Sequence, residues 1–457
     1  MPLMSEAADF LVVWRPLLAT VLGVAGLLFL ILARRVNAFA ALLVAALATG
    51  LAAGLAPQAV LESVQNGFAG VLGFIAVIVG LGALLGTYLE ASGGAAALAK
   101  SIVGNRPPGP AGIAMGFVGL VIAIPVFFDV GLILLFPLVQ ALAVRAGKPA
   151  LFFGLPLLAG LATAHAFIPP TPGPVAVSEI LDADIGLVIV CGLAAGIPAM
   201  LIAGPYFTRF AHACDWLPMR HSTDALPDEV STKGPELDGG LAVRASLSIL
   251  VPIALIVLAA VAVQMGMESD VIAFAGHPFV ALLTGCGLAA WVLQPKDDEG
   301  RARLQDGLAR ALEPTAVILL VTGAGGAFKQ VLVDTGAGKM MAEGFLAFGL
   351  GPIVAGFLLA ALVRVAQGSA TVAMLTAAGL SAPLAASAGL EGWDLARMVI
   401  AIAAGASIVS HVNDSGFWLV SRYFNLSASE TLRTWTIAST LVGVVGFIVV
   451  ITLGLFV

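Results

Sequence analysis

The chain has 457 residues, 60% of them hydrophobic and only 11% charged, with a mean hydropathy of +1.06 and a net charge of −6. A soluble domain carries about 25% charged residues, so this composition excludes an ordinary soluble enzyme, a disordered chain and a nucleic-acid binder. The apolar residues fall in blocks of roughly 20, the length at which a helix crosses a bilayer, so the chain reads as an all-α polytopic membrane protein. Cys191, Cys214 and Cys286 lie far apart, which gives neither a disulfide framework nor a metal site. The start, MPLMSEAADF, has no basic residue, so the first apolar segment is expected to stay as a helix and not to be removed as a signal peptide.

In chain order, full crossings are expected near 14–33, 38–55, 69–90, 150–178, 185–208, 245–265, 279–294, 312–333, 397–421 and 435–456, ten in all. Two re-entrant hairpins are expected at 112–143 and 352–383, with tips at IPVFFDVG and QGSATV. The polar stretch 212–243 is a connector between two units, 1–211 and 244–457, and is too short for a core of its own. With each hairpin returning to its own side, 16 of the 21 basic residues share one set of loops, among them Arg34, Arg145, Arg209, Arg244 and Arg310. The other set holds three, Lys329, Lys339 and Arg397. The positive-inside rule makes the richer side cytoplasmic; the connector then lies in the cytoplasm and both termini outside.

The two units resemble each other at an offset of 243 residues: Gly80, Gly82, Leu89, Ser92 and Gly93 fall on Gly323, Gly325, Leu332, Thr335 and Gly336. With three more, His165 falls on His411. Five crossings per unit make the repeats inverted. Inverted repeats with broken helices meeting at the midplane are a secondary-transporter design, and no G-x-x-x-x-G-K-[ST] motif supports a primary pump.

Four polar or Pro/Gly-rich interruptions lie where apolar helix is expected: 124–131, 165–176, 365–373 and 410–418. Irregular backbone at membrane depth is tolerated only inside protein or against a wet cavity, so four such sites imply one shared cavity. The prolines between Pro169 and Pro174 cannot lie in a continuous helix; a simple kink is the plain alternative. At the second tip Gly368 permits a tight turn, Ser369 and Thr371 supply hydroxyls, Gln367 an amide, and the next helix would offer free N–H groups to an anion. Small-residue helix packing is the competing reading there. Asp129 and Asp414 are carboxylates within apolar stretches, costly as charges and suited to carrying protons, or else structural hydrogen-bonding groups. Glu90 ends a helix, and a boundary role stands beside proton coupling. His165 and His411 open the two unwound segments and could relay protons. Arg364 could hold a substrate carboxylate bidentately, neutralise Asp414, or snorkel. Asn413 and Ser415 complete the second segment; Phe417 and Trp418 beside them can simply pack. No cofactor or metal is indicated.

HAFIPPTPGP followed by LDADIG, RVAQGSATVAMLTAAG, SHVNDSGFW, GAGGAFKQVLVDTG and PVFFDVG together resemble the gluconate permease family of the ion transporter superfamily, over residues 20–456. The resemblance implies a bacterial inner-membrane symporter importing gluconate or a related small hydroxy acid with protons, built of two inverted repeats with paired hairpins, usually as a homodimer. It points to Asp129, His165, the run Pro169 to Pro174 with Thr171 and Gly173, Ser369, Thr371, His411, Asn413 and Asp414. Two departures stand out. Thr171 replaces a second family histidine, and Asp129 stands where the hairpin acid is often Glu. The family also includes carriers of D-serine, glycerate and other acids, sodium coupling is an alternative within the class, and a channel or membrane enzyme is the remote one.

Overall fold

The computed structural model describes residues 2–218, 239–267, 269–295, 297–336, 351–412 and 414–455. The regular structure among them is helical. The first unit runs α1 (Pro2–Leu32), α2 (Ala38–Ala53), α3 (Pro57–Ala91), α4 (Gly94–Val103), α5 (Pro108–Ile122), α6 (Phe128–Ala146), α7 (Ala150–Phe167), α8 (Pro172–Leu181) and α9 (Ile185–Leu201), then a π turn (Ile202–Tyr206) and α10 (Phe207–Ala213). The second runs α11 (Gly239–Gln264), α12 (Asp270–Gly276), α13 (Pro278–Val292), α14 (Asp298–Arg310), α15 (Glu313–Asp334), α16 (Pro352–Gln367), α17 (Ala370–Ser387), α18 (Trp393–Ser407), α19 (Ser415–Tyr423) and α20 (Ala428–Thr431). A second π turn (Leu432–Thr436) leads into α21 (Ile437–Leu453). Most of the expected connector, with Lys339 and Asn413, lies outside the described residues.

Nine spans among the described residues are long and apolar enough to cross a membrane, or ten when α12 and α13, bent by 58°, count as one. Their exposed faces carry large apolar side chains such as Leu22, Phe29, Leu258 and Leu283, as lipid contact requires. The chain turns between α5 and α6 at 123–127 and between α16 and α17 at 368–369. In each pair the first helix, α5 of 15 residues or α16 of 16, falls short of a crossing, while the second, α6 or α17, reaches span length.

Several boundaries differ from the sequence reading. α3 has 35 residues against the expected 69–90, because Pro57 at its first turn needs no N–H partner and starts the helix early. The first break is confined to 168–171: α7 continues two residues past His165, and Pro172 and Pro174 sit in the first turn of α8, where missing donors cost nothing. The second break spans 408–414, so Phe417 and Trp418 are helical.

The α7–α8 span is 89% buried and forms the centre of the molecule. Backbones meet closely there. A Cβ on Gly160 would lie 2.0 Å from Gly116 O on α5, and one on Gly405 of α18 would lie 2.2 Å from Phe357 O on α16. Each hairpin's first arm is thus pressed against the broken helix of its own half through glycine.

Polar contacts tie helix ends and loops together. Arg145 Nη1 donates to Asn105 Oδ1 at 3.1 Å, Lys148 Nζ lies 3.0 Å from His212 Nε2, and Arg244 Nη1 donates to Val292 O at 3.3 Å. Arg15 Nε donates to Ala52 O at 2.8 Å, Ser63 Oγ to Asp334 Oδ2 at 2.6 Å and Lys329 Nζ to Asp182 Oδ2 at 3.0 Å.

Candidate functional site

The α5–α6 turn, the α16–α17 turn and the second break converge on a cavity of about 650 Å³. Three helices begin there. α6 starts after Phe127 and carries Asp129 in its first turn. α17 starts at Ser369, whose Oγ accepts from Val372 N at 3.3 Å, after Gly368 turns the chain at φ 91°. α19 starts at Asp414, whose Oδ1 accepts from Gly416 N at 3.0 Å. Unsatisfied N–H groups and the helix dipole make such ends attractive to anions.

Arg364 and Asp414 form the electrostatic centre. Arg364 Nη2 lies 2.5 Å from Asp414 Oδ2, with both side chains nearly excluded from solvent. Ser410 Oγ donates to the same Oδ2 at 2.5 Å. The other guanidinium nitrogens, Nε and Nη1, are buried with no protein partner, as are Gln367 Oε1 and His165 Nδ1. All four groups belong to residues lining the cavity. Buried polar atoms are normally paired, so unspent capacity of both signs around one cavity suits a ligand that is both charged and hydroxylated. Asp129 is exposed to the cavity and lies within electrostatic range of Asp414.

The cavity gathers Asp129, His165, Arg364, Gln367, Gly368, Ser369, Thr371, Asp414 and Ser415. Other expected residues are placed elsewhere. Thr171 lines a neighbouring cleft of about 20 Å³ and donates its hydroxyl to Ile168 O at 2.6 Å. Gly173 is buried against the Met374 side chain. His411 Nε2 lies 2.8 Å from Val365 O. Glu90 lines a separate vestibule of about 820 Å³ with Thr87, Arg244, Arg303 and Arg310. Asn413 lies outside the described residues. Among the described residues no three His, Cys, Asp or Glu could hold a metal.

The three spaces adjoin one another, and the vestibule also shares Val130 with the main cavity. The cleft shares Phe127 and His165 with the main cavity, and Ala83, Pro125, Val126 and Phe127 with the vestibule. Phe127 lines all three, its ring edge-on to His165 at 6.3 Å. Sequence reasoning missed Phe127, Phe128, Ser407, Trp435 and Ser439. An aromatic in an apolar span looks like core. The hydroxyl-rich TWTIAST of 434–440 was the one available signal.

Against known families, residues 15–456 match the GntP family permease model. The chain belongs to the GntP permease family. It is 38% identical over 430 residues to the low-affinity gluconate transporter of Escherichia coli K12, covering 93% of this chain and 94% of that one. It is 36% identical over 453 residues to the gluconate permease of Bacillus subtilis 168, covering 96% and 99%. The Gnt-II system L-idonate transporter of Escherichia coli K12 is 35% identical over 449 residues, with 96% and 99% covered. Among solved structures, the fold is that of the Alcanivorax borkumensis YdaH transporter (TM-score 0.58, 15% identity, 87% of this chain and 89% of that). Neisseria gonorrhoeae MtrF is similar too (TM-score 0.60, 15% identity, 85% and 83%). This GntP-family chain is therefore a multi-pass membrane permease, and its relatives are named as transporters, not enzymes.

Proposed function

We propose that this permease imports a sugar-acid anion, gluconate in the first place, together with a proton. The observation that carries the reading is Arg364: one guanidinium nitrogen is committed to Asp414, two are buried and unpartnered, and three helix N-termini open beside it. Guanidinium donors and helix ends take the carboxylate, and Gln367, Ser369, Thr371 and Ser415 face the hydroxyls. Curated relatives named for gluconate and L-idonate, at 35–38% identity, support that substrate class.

Charge counting supplies the proton. Asp414 already balances Arg364, so the incoming carboxylate meets Asp129 as an uncompensated like charge. A proton on Asp129 removes one of the two negative charges and stays with the substrate through the crossing. His165, with its buried Nδ1 unpaired, is the second candidate for that proton. Release runs past Phe127 into the vestibule, which Arg244, Arg303 and Arg310 line and which the positive-inside rule makes cytoplasmic. Matching hairpins and broken helices in the two halves support inverted repeats moving by alternating access.

The test is uptake of radiolabelled gluconate into proteoliposomes, with an inward proton gradient, an inward sodium gradient or neither, competed by L-idonate, glycerate and D-serine. Proton-stimulated uptake competed best by sugar acids is expected. Best competition by D-serine would change the substrate class, and stimulation by sodium alone would remove the proton from Asp129.

A further inference from the structure

We propose that Trp435 is a positioning residue that couples Asp129 of the first half to Arg364 of the second; this rests on the symport reading above. Trp435 is 4% exposed and touches both halves. Its ring lies 5.5 Å from that of Phe128, the residue before Asp129 at the start of α6. Its indole Nε1 donates to Ser410 Oγ at 2.8 Å. Ser410 Oγ in turn donates to Asp414, which holds Arg364. A single side chain therefore links the tip carrying one carboxylate to the hydrogen bonds that aim the arginine.

The segment around Trp435 is built to hold that link. Ser410 N donates to Ser439 Oγ at 3.2 Å, and Thr436 Oγ1 donates to Ser410 O. Every polar group of Ser410 is thus engaged, and Trp435, Thr436 and Ser439 each hold one of them. Val409 N donates to Thr440 Oγ1 at 3.0 Å. Val409 itself sits at φ 47°, a conformation that costs a β-branched residue energy and persists only where its surroundings enforce it. The enforcing residues lie in and just after a π turn, Leu432–Thr436, a local feature that clusters at functional sites.

The titratable and charged groups facing Asp129 across the cavity are His165 from α7, Arg364 from α16 and Asp414 from the second break. The residues that α21 and its π turn contribute, Trp435, Ser439 and Val442, are neutral. Trp435 therefore alters the response to a proton through geometry and not through its own charge.

The experiment measures the apparent KM for gluconate in proteoliposomes across external pH, for wild type, Asp129→Asn, Trp435→Phe and Phe128→Leu. In wild type KM should rise towards alkaline pH, and Asp129→Asn should flatten that rise. Trp435→Phe keeps the ring contact but lacks the N–H donor. It should still take up gluconate, with KM at acid pH raised roughly fivefold, the worth of one neutral hydrogen bond, and with the pH dependence flattened. Phe128→Leu breaks the other end of the link and should flatten it too. The double variant should be no flatter than either single one, as for two residues on one route. A wild-type pH slope in both Trp435→Phe and Phe128→Leu, with Asp129→Asn flat, would overturn the coupling and leave symport intact. A wild type without any pH slope would overturn both.

Discussion

The two breaks at the centre of the molecule solve the same problem in opposite ways. An interrupted helix at membrane depth must dispose of its freed backbone groups. The first break does so by composition. Pro169, Pro170, Pro172 and Pro174 have no N–H to satisfy, and Thr171 caps Ile168 O with its own hydroxyl. The segment is buried, self-contained and set back from the main cavity. The second break contains no proline. Val409 N, Ser410 N and Ser410 O are satisfied from outside, by the hydroxyls of Thr440, Ser439 and Thr436, while the Ser410 side chain holds Asp414 and Asp414 holds Arg364. The first break is a rigid support, and the second is the working half whose geometry depends on a neighbouring helix.

That contrast can be broken most severely at Arg364. Arg364→Gln leaves Asp414 as an unpaired buried carboxylate, a change worth about 3–5 kcal/mol, and should abolish gluconate uptake and lower the yield of folded protein. Adding Asp414→Asn should restore the yield but not the uptake; recovery of transport by the double variant would remove Arg364 from substrate binding. A smaller effect is expected at Ser410. Ser410→Ala removes the donor that fixes Asp414 and should raise KM for gluconate roughly tenfold, as expected for a hydrogen bond to a charged group, with little change in maximal rate. The smallest effect should come from the first break. Thr171→Val loses the bond to Ile168 O, costs about 1 kcal/mol and should lower the melting temperature in detergent while leaving KM unchanged. A larger KM change for Thr171→Val than for Ser410→Ala would reverse the roles assigned to the two breaks.

The positions of both breaks were legible because prolines, glycines and polar residues stand out against apolar helix. Their lengths were not. Pro172 and Pro174 read as breakers in the chain, yet each is harmless within the first turn of α8. His165 and His411 looked equivalent at matching repeat positions, but only His165 lines the cavity, while His411 turns to Val365 O. Trp435 and Phe127 were marked only by their neighbours, the hydroxyl-rich TWTIAST and the IPVFFDVG interruption, since an aromatic side chain in an apolar span is the ordinary content of a membrane helix.

The sequence by itself determined that the chain crosses a membrane, which stretches interrupt its apolar helices, which family it belongs to and which residues could bear charge at depth. Those properties follow from local chemistry: transfer of apolar blocks into lipid, the backbone limits of proline and glycine, and the cost of an isolated charge. Only the tertiary structure decided which of those residues meet. The pairing of Arg364 with Asp414 spans 50 positions, and the grip of Trp435 on Ser410 spans 25. Neither spacing has a period. Both contacts exist because close glycine packing of α16 on α18 and the π turn before α21 bring distant segments to one cavity, where unmet hydrogen bonds are costly enough to select a single arrangement.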